Sequence, residues 1–200
     1  MRFLFAFLIA FPVSVAMPAW AADDQPAHPA APEVPAPPVT KQARLDKLFT
    51  DLRRERNEKA AERIAGNIWN EWSRSGSASI DLMMQWSQKA IENQKFDVAL
   101  DFLDQVVTLQ PTYAEGWNRR ATVHFMMKNY GKSMSDINRT LQLEPRHFGA
   151  LSGLAQIMAL TGHKQSALEA WQKVLAIYPM MRNAQDQVAT LSEELAGEGI

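Results

Sequence analysis

Apolar side chains recur at helical spacing along most of the chain. Between residues 80 and 181 they return every three or four positions, which places them on one stripe of an α-helix rather than on alternate faces of a strand. Short polar segments separate successive stripes. The pattern predicts an all-α chain of consecutive amphipathic helices.

The helical stripes repeat with a fixed period. Pro111, Pro145 and Pro179 are spaced 34 residues apart, and each follows the end of an apolar run. Alignment on these prolines gives three units of two helices. The units are 80–113, 114–147 and 148–181. Small residues recur at matched places in all three: Ser87, Ala121 and Ala155 in the first helices, and Ala99, Ser133 and Ala167 in the second.

This pattern resembles the tetratricopeptide repeat (TPR), in which large and small residues alternate so that paired helices pack closely, and a proline closes each unit. The match covers 102 of the 200 residues without an insertion. The resemblance implies a right-handed α-solenoid of helix hairpins, whose first helices line a concave surface.

Two weaker segments flank the three units. Residues 41–79 carry apolar residues at repeat positions but lack the closing proline, so we interpret them as a degenerate repeat preceding the others. A single long helix over 41–74 is the alternative, and a lapse of the apolar stripe between Arg53 and Lys59 favours the hairpin. Residues 182–200 are predicted to form a capping helix and tail, which shields the end of the stack.

The N-terminus has the features of an export signal. Positively charged Met1-Arg2 precedes a largely apolar stretch of 15 residues, interrupted by Pro12, and the small-x-small sequence Ala19-Trp20-Ala21, which together predict a signal peptide over 1–21. A membrane anchor is disfavoured because a span needs about 20 apolar residues. Residues 22–40 hold six prolines and are predicted to be a disordered tether. We therefore expect a periplasmic protein without membrane insertion after cleavage.

Composition argues against several classes of function. The 21 basic and 22 acidic side chains nearly cancel, so a nucleic-acid partner is not expected. The absence of cysteine excludes thiolate metal sites and cysteine nucleophiles, and four scattered histidines offer no metal or catalytic cluster. We expect no cofactor, no metal and no enzymatic activity. Net charge alternates between +3, −3 and +3 over 41–74, 80–113 and 114–147, which suits self-association as readily as partner steering.

The resemblance also implies where a partner binds. The positions of the first helices that face the groove in the family include Met84, Gln88, Asn118, Arg119, Thr122, Phe125, Ser152 and Gln156. The centre of this surface is polar but uncharged, and amides and hydroxyls can pair with the backbone of an extended peptide. Only Arg119 is positively charged where the chaperone-binding members of the family carry a basic clamp, so an acidic C-terminus is not the expected ligand. The convex face remains an alternative site.

One position departs from the apolar pattern in a way that predicts a contact. Arg120 lies on the helical stripe of the second unit, where a buried and unpaired guanidinium would be costly. Asp136 lies on the next helix of the same unit. We predict a structural ion pair between Arg120 and Asp136, and the alternative is that Arg120 extends to solvent.

Together these features predict a periplasmic scaffold or assembly factor of the cell envelope that binds another envelope or periplasmic protein in its groove. The alternative is a periplasmic chaperone or enzyme-modulating subunit with transient clients.

Overall fold

The computed structural model describes residues 40–198. The predicted signal peptide 1–21, residues 22–39 of the predicted tether and the final two residues of the predicted tail lie outside the described residues. Thr40 is the N-cap of the first helix, where its hydroxyl accepts a hydrogen bond from the Ala43 amide at 3.1 Å.

Within residues 40–198 the chain forms nine α-helices and no strand, which confirms the predicted all-α repeat architecture. The helices are α1 (Lys41–Arg54), α2 (Glu58–Trp72), α3 (Ala78–Glu92), α4 (Phe96–Leu109), α5 (Ala114–Met126), α6 (Tyr130–Leu143), α7 (Phe148–Leu160), α8 (Lys164–Ile177) and α9 (Arg182–Glu198). No helix in this range combines the length and the apolar content that crossing a bilayer requires.

Helices α3 to α8 form three consecutive hairpins, and α9 packs against α8. The turn inside each hairpin has one residue in the left-handed region, at Gln94 (φ 56°), Lys128 (φ 59°) and Gly162 (φ 81°). These three residues are 34 apart. Left-handed backbone lets the chain reverse while the next amide bonds back to the helix end, as the Lys95 amide does to the Ala90 carbonyl at 2.8 Å.

Small residues allow successive hairpins to approach closely. A Cβ atom at Gly116 of α5 would lie 2.7 Å from the Val106 Cγ1 of the preceding hairpin. Inside the second hairpin, the buried Ser133 hydroxyl donates to the Ala121 carbonyl at 2.8 Å. The recurrence of small residues noted in the sequence therefore marks positions where helix backbones meet.

The structure contains the predicted ion pair between Arg120 and Asp136. The guanidinium donates from Nε and Nη2 to the two carboxylate oxygens of Asp136 at 2.8 and 2.7 Å. It also donates to Asp104 of the preceding hairpin at 2.8 Å. Hydrogen bonding to Asp136 raises the pKa of Arg120 further above its ordinary value. One side chain thus ties α5 to both α6 and α4.

Residues 41–74 contain two helices rather than the single long helix of the alternative. The chain leaves helical geometry at residues 55–57, where the predicted lapse of the apolar stripe falls. Asn57 then starts α2, because its side-chain oxygen accepts a hydrogen bond from the Ala60 amide at 3.0 Å. We call α1 and α2 the N-terminal hairpin.

The N-terminal hairpin does not stack on α3 and α4 as the predicted fourth repeat would. No extended contact joins α2 to α3 in the described part of the chain. Between them, Gly76 takes a left-handed conformation (φ 85°), and Asp81 accepts hydrogen bonds from the Ser75 amide and hydroxyl at 3.0 and 2.6 Å. This turn replaces the missing closing proline and redirects the chain.

The hairpin instead runs along the inter-repeat loops, which we define as residues 110–113, 144–147 and 178–181. At the C-terminal end of α2, the Tyr113 hydroxyl donates to the Ser73 carbonyl at 3.0 Å. At its N-terminal end, Arg182 next to the third loop lies 3.3 Å from Glu58. A 15-residue helix is about 22 Å long, which suits a helix that crosses all three loops.

Aromatic side chains attach the hairpin to the second loop and to the start of α7. Trp72 stacks on His147 with ring centroids 4.0 Å apart, and the Trp69 ring meets Phe148 edge-on at 5.5 Å. The largest core cluster accordingly joins hairpin residues with buried side chains of α7, α8 and α9, including Trp171 and Leu191.

Gly149 provides a direct test of this docking. A methyl group there would lie 2.6 Å from the Trp69 Cη2 atom, so we expect Gly149→Ala to lower the free energy of unfolding by about 1–3 kcal/mol through overpacking. Gly66 of α2 faces open space, and Gly66→Ala is expected to raise it by about 0.5–1 kcal/mol. Urea denaturation of both variants measures the difference. Equal stabilisation by the two substitutions would show that Trp69 does not cover Gly149.

Candidate peptide-binding groove

Helices α5 and α7 enclose a cavity on the side of the stack formed by the first helices of the repeats. Its volume is about 290 Å³, and its lining carries no charged side chain. Asn118, Thr122, Phe125, Ser152 and Gln156 of the predicted groove all line it. Ile137 of α6 forms part of its wall, so the cavity combines a few amide and hydroxyl groups with apolar side chains.

A second and more open cavity lies between α3 and α5. Its volume is about 520 Å³, and it contains the remaining predicted groove residues, Met84, Gln88 and Arg119. Two acidic residues, Asp81 and Glu92, line it together with the basic Lys89 and Arg119, so the charges of this lining balance. The structure thus places all eight predicted groove residues around these two cavities, five in one and three in the other.

Several polar groups of the groove already bond within the protein. The Ser152 hydroxyl donates to the Phe148 carbonyl at 2.8 Å, and the Thr122 hydroxyl donates to the Asn118 carbonyl at 3.0 Å. Gln88 accepts from Arg119 at 2.6 Å and donates to Glu92 at 2.9 Å. Among the described residues no hydrogen bond engages the exposed Gln156 amide. Gln156 is therefore the groove amide that has both its donor and its acceptor capacity available.

Beneath the groove lies a buried polar network centred on Glu115. This carboxylate is 2% exposed and accepts hydrogen bonds from Asn118 at 3.0 Å, Arg119 at 3.1 Å and His147 at 3.2 Å. A buried carboxylate needs hydrogen-bond donors in place of water, and these three donors supply them. The network holds Asn118 and Arg119 in their positions on the groove wall.

His147 links this network to the N-terminal hairpin. Its Nδ1 atom accepts a hydrogen bond from the Ala150 amide at 3.1 Å and caps α7. The ring proton therefore sits on Nε2, which donates to Glu115. Trp72 of the N-terminal hairpin stacks on the face of the same imidazole ring, at an interplanar angle of 7°.

The environment of Glu115 lowers its pKa. Burial alone would raise the pKa, but the hydrogen bond from His147 and the charge and hydrogen bond of Arg119 outweigh this effect and hold it below the ordinary value. The carboxylate form is thus the one on which the folded state depends.

Trp69 packs against the start of α7, next to the groove. Its indole covers Gly149, which also lines the smaller cavity. The hairpin therefore packs behind one residue of the cavity wall. Sequence reasoning missed this role because the position of the hairpin along the loops has no counterpart in the 34-residue pattern.

Glu115 and His147 were also missed as structural residues of the site. The repeat pattern puts Glu115 at a position that faces the groove, and it gives no sign that the side chain turns inward. The available signal was the pairing of one acidic residue at the start of α5 with one histidine 32 positions later at the start of α7.

The buried carboxylate predicts a specific pH dependence. Because the folded pKa of Glu115 lies below the ordinary value of 4.5, its stabilising contribution is present above about pH 4.5 and is lost as the pH falls through the folded pKa. We expect Glu115→Gln to cost about 1.5–3 kcal/mol at pH 7, with a smaller difference from the original protein at pH 3.

Urea denaturation at several pH values measures this effect, with Glu169→Gln on the exposed surface of α8 as the control. A constant difference between Glu115→Gln and the original protein from pH 7 to pH 3 would contradict the assignment.

Comparison with known proteins places the architecture in a family. No known family profile matches the sequence. A TPR repeat-containing protein of Rhizobium etli is 56% identical over 154 residues, which are 77% of this chain and 76% of the relative. The small glutamine-rich tetratricopeptide repeat-containing protein 2 of Saccharomyces cerevisiae is 30% identical over 117 residues, which are 58% of this chain and 34% of the yeast protein.

Solved structures share the fold at lower identity. The first TPR of Spaghetti (RPAP3), bound to the HSP90 peptide SRMEEVD, has a TM-score of 0.57 at 21% identity and covers 60% of this chain and 95% of that domain. MamA has a TM-score of 0.55 at 18% identity and covers 76% of this chain and 84% of its own. With the repeat period, the helix pairs and the extent of the R. etli match, these similarities lead to one conclusion: the chain belongs to the tetratricopeptide repeat family.

Proposed function

We propose that this protein is an exported scaffold or assembly factor of the cell envelope, and that its groove holds an extended, uncharged segment of another envelope protein. The observation that carries the proposal is the cavity between α5 and α7, whose lining places amides and hydroxyls among apolar side chains and carries no charge. Amides and hydroxyls recognise a peptide backbone irrespective of side-chain charge, and apolar walls accept a neutral side chain.

Gln156 and Phe125 are the groups that contact the bound segment in this proposal. The exposed Gln156 amide can donate to one backbone carbonyl and accept from one amide. Phe125 is half-buried against Tyr130, with ring centroids 5.8 Å apart, so its ring is held in position to pack on an apolar ligand side chain. A pre-positioned aromatic ring loses little conformational freedom on binding.

The electrostatics of the groove favour this class of ligand over an acidic one. The structural relative bound to HSP90 peptide accommodates a ligand with three acidic residues. Here the guanidinium of Arg119 already bonds to Glu115 and Gln88, and the acidic residues Asp81 and Glu92 line the same cavity. Binding of an uncharged segment would then depend only weakly on salt.

The proposed location rests on the N-terminal sequence. A basic start, an apolar run too short to span a bilayer and the residues Ala19-Trp20-Ala21 are the pattern that export and signal cleavage require. An envelope location would place the partner in the same compartment.

Site-directed photo-crosslinking in cells tests the groove and the location together. A photoreactive residue at Gln156 is expected to yield a defined crosslinked species in the periplasmic fraction, on a chain that begins at residue 22. The same residue at Glu169, on the exposed surface of α8, serves as the control and should yield little. Phe125→Ala should reduce the yield of the crosslink from position 156 several-fold, since truncation of an important contact residue weakens binding by roughly tenfold.

Groove binding is contradicted if the two positions crosslink equally or if Phe125→Ala has no effect. Export is contradicted if the chain keeps residues 1–21 and stays in the cytoplasmic fraction. Many weak species at Gln156, in place of one or a few, would favour the chaperone alternative.

A further inference from the structure

The first repeat exposes an apolar surface that the other repeats do not. We define the outer face of the first repeat as Leu82 and Trp86 of α3 with Val98 and Phe102 of α4. Leu82, Trp86 and Val98 are 42%, 43% and 44% exposed, and they are three of the six large apolar side chains in the described residues that are classed as exposed. Trp86 and Phe102 are in ring contact at 5.4 Å and form the centre of the face.

The corresponding positions of the second repeat show what normally packs against this surface. Position 82 of the first repeat corresponds to Gly116 of the second, where a Cβ would lie 2.7 Å from Val106 of the preceding hairpin. Position 86 corresponds to Arg120, which bonds to Asp104 of the preceding hairpin at 2.8 Å. In the second repeat the α5 part of this face is covered by α4. In the first repeat it would be covered by a preceding hairpin, but the N-terminal hairpin lies along the inter-repeat loops instead.

We propose that the outer face of the first repeat is a dimerisation surface that binds the same face of a second copy of this chain. The centre of the face is apolar and carries two aromatic rings, with Lys89 and Lys95 beside it, and an apolar aromatic centre with a polar edge is typical of an interface. Within residues 40–198 no exposed large apolar residue lies on α9, at the other end of the stack. A head-to-tail contact would therefore pair an apolar face with a polar one, whereas two copies of the outer face match each other.

Size sets the strength of this contact. Helices of 15 and 14 residues are about 22 Å long, and two neighbouring helices are about 20 Å wide, so each copy contributes on the order of 450 Å². About 900 Å² for the pair lies just below the usual range for stable interfaces. The dimer is therefore weak, with a dissociation constant in the micromolar range or above. Because the two surfaces are identical, assembly stops at two copies.

Sedimentation equilibrium of the purified chain, over a range of micromolar to submillimolar concentrations, tests the proposal. The expected result is a reversible monomer–dimer equilibrium without larger species. Trp86→Glu should raise the dissociation constant at least tenfold, because it places a charge at the centre of the contact. Leu160→Glu is the matched control: Leu160 is 61% exposed but lies at the end of α7, away from the outer face.

A second substitution, Val98→Glu, should act like Trp86→Glu, and circular dichroism with urea denaturation establishes that each variant is folded. A folded Trp86→Glu or Val98→Glu variant that no longer dimerises, beside a Leu160→Glu variant that does, supports the proposal. A chain that stays monomeric at all concentrations overturns it. So do species larger than dimers, or a dimer that Leu160→Glu weakens as much as Trp86→Glu does.

Discussion

The contact between Trp72 and His147 is the interaction on which the arrangement of this molecule depends. His147 serves three partners at once: its Nδ1 atom caps α7, its Nε2 atom donates to the buried Glu115, and its ring face supports Trp72. Because Nδ1 accepts a hydrogen bond and Nε2 donates one, these two polar contacts require the same neutral tautomer, while the stacking on Trp72 does not depend on it. A single side chain thus connects the N-terminal hairpin, the second repeat and the start of the third.

This connection has consequences on two sides of the stack. On the groove side, Trp69 packs against Gly149 of the smaller cavity's wall, while Glu115 holds Asn118 and Arg119 on the groove wall. At the first repeat, the hairpin is no longer available to cover α3 and α4. The same docking therefore shapes the groove and exposes the outer face of the first repeat.

The sequence was informative where structure follows from local spacing. The 34-residue period predicted the three hairpins, and the misplaced charge of Arg120 predicted its contact with Asp136, because both depend on neighbouring turns and adjacent helices. The lapse between Arg53 and Lys59 likewise indicated the break between α1 and α2. The groove residues could be assigned only through the family resemblance, since apolar periodicity does not distinguish the two faces of a hairpin stack.

The position of the N-terminal hairpin could not be read in this way. Its contacts with the repeats join residues 40 or more positions apart, such as Ser73 with Tyr113 and Trp72 with His147, and no periodic pattern predicts them. Glu115 looked like a groove residue for the same reason: its inward orientation depends on a histidine of the next repeat. The helical spacing of Trp86 is that of a core residue, but its side chain is exposed because no preceding repeat covers it.

A double-mutant cycle between Trp72 and His147 tests the account most directly. Trp72→Leu removes one ring, and His147→Asn removes the other while keeping a side chain that can cap α7. If the hairpin docks on the loops as described, the free energies of unfolding of the two single variants and the double variant should reveal a coupling of about 1 kcal/mol or more. A coupling within about 0.3 kcal/mol of zero would mean that the two rings do not touch, and that the N-terminal hairpin lies elsewhere.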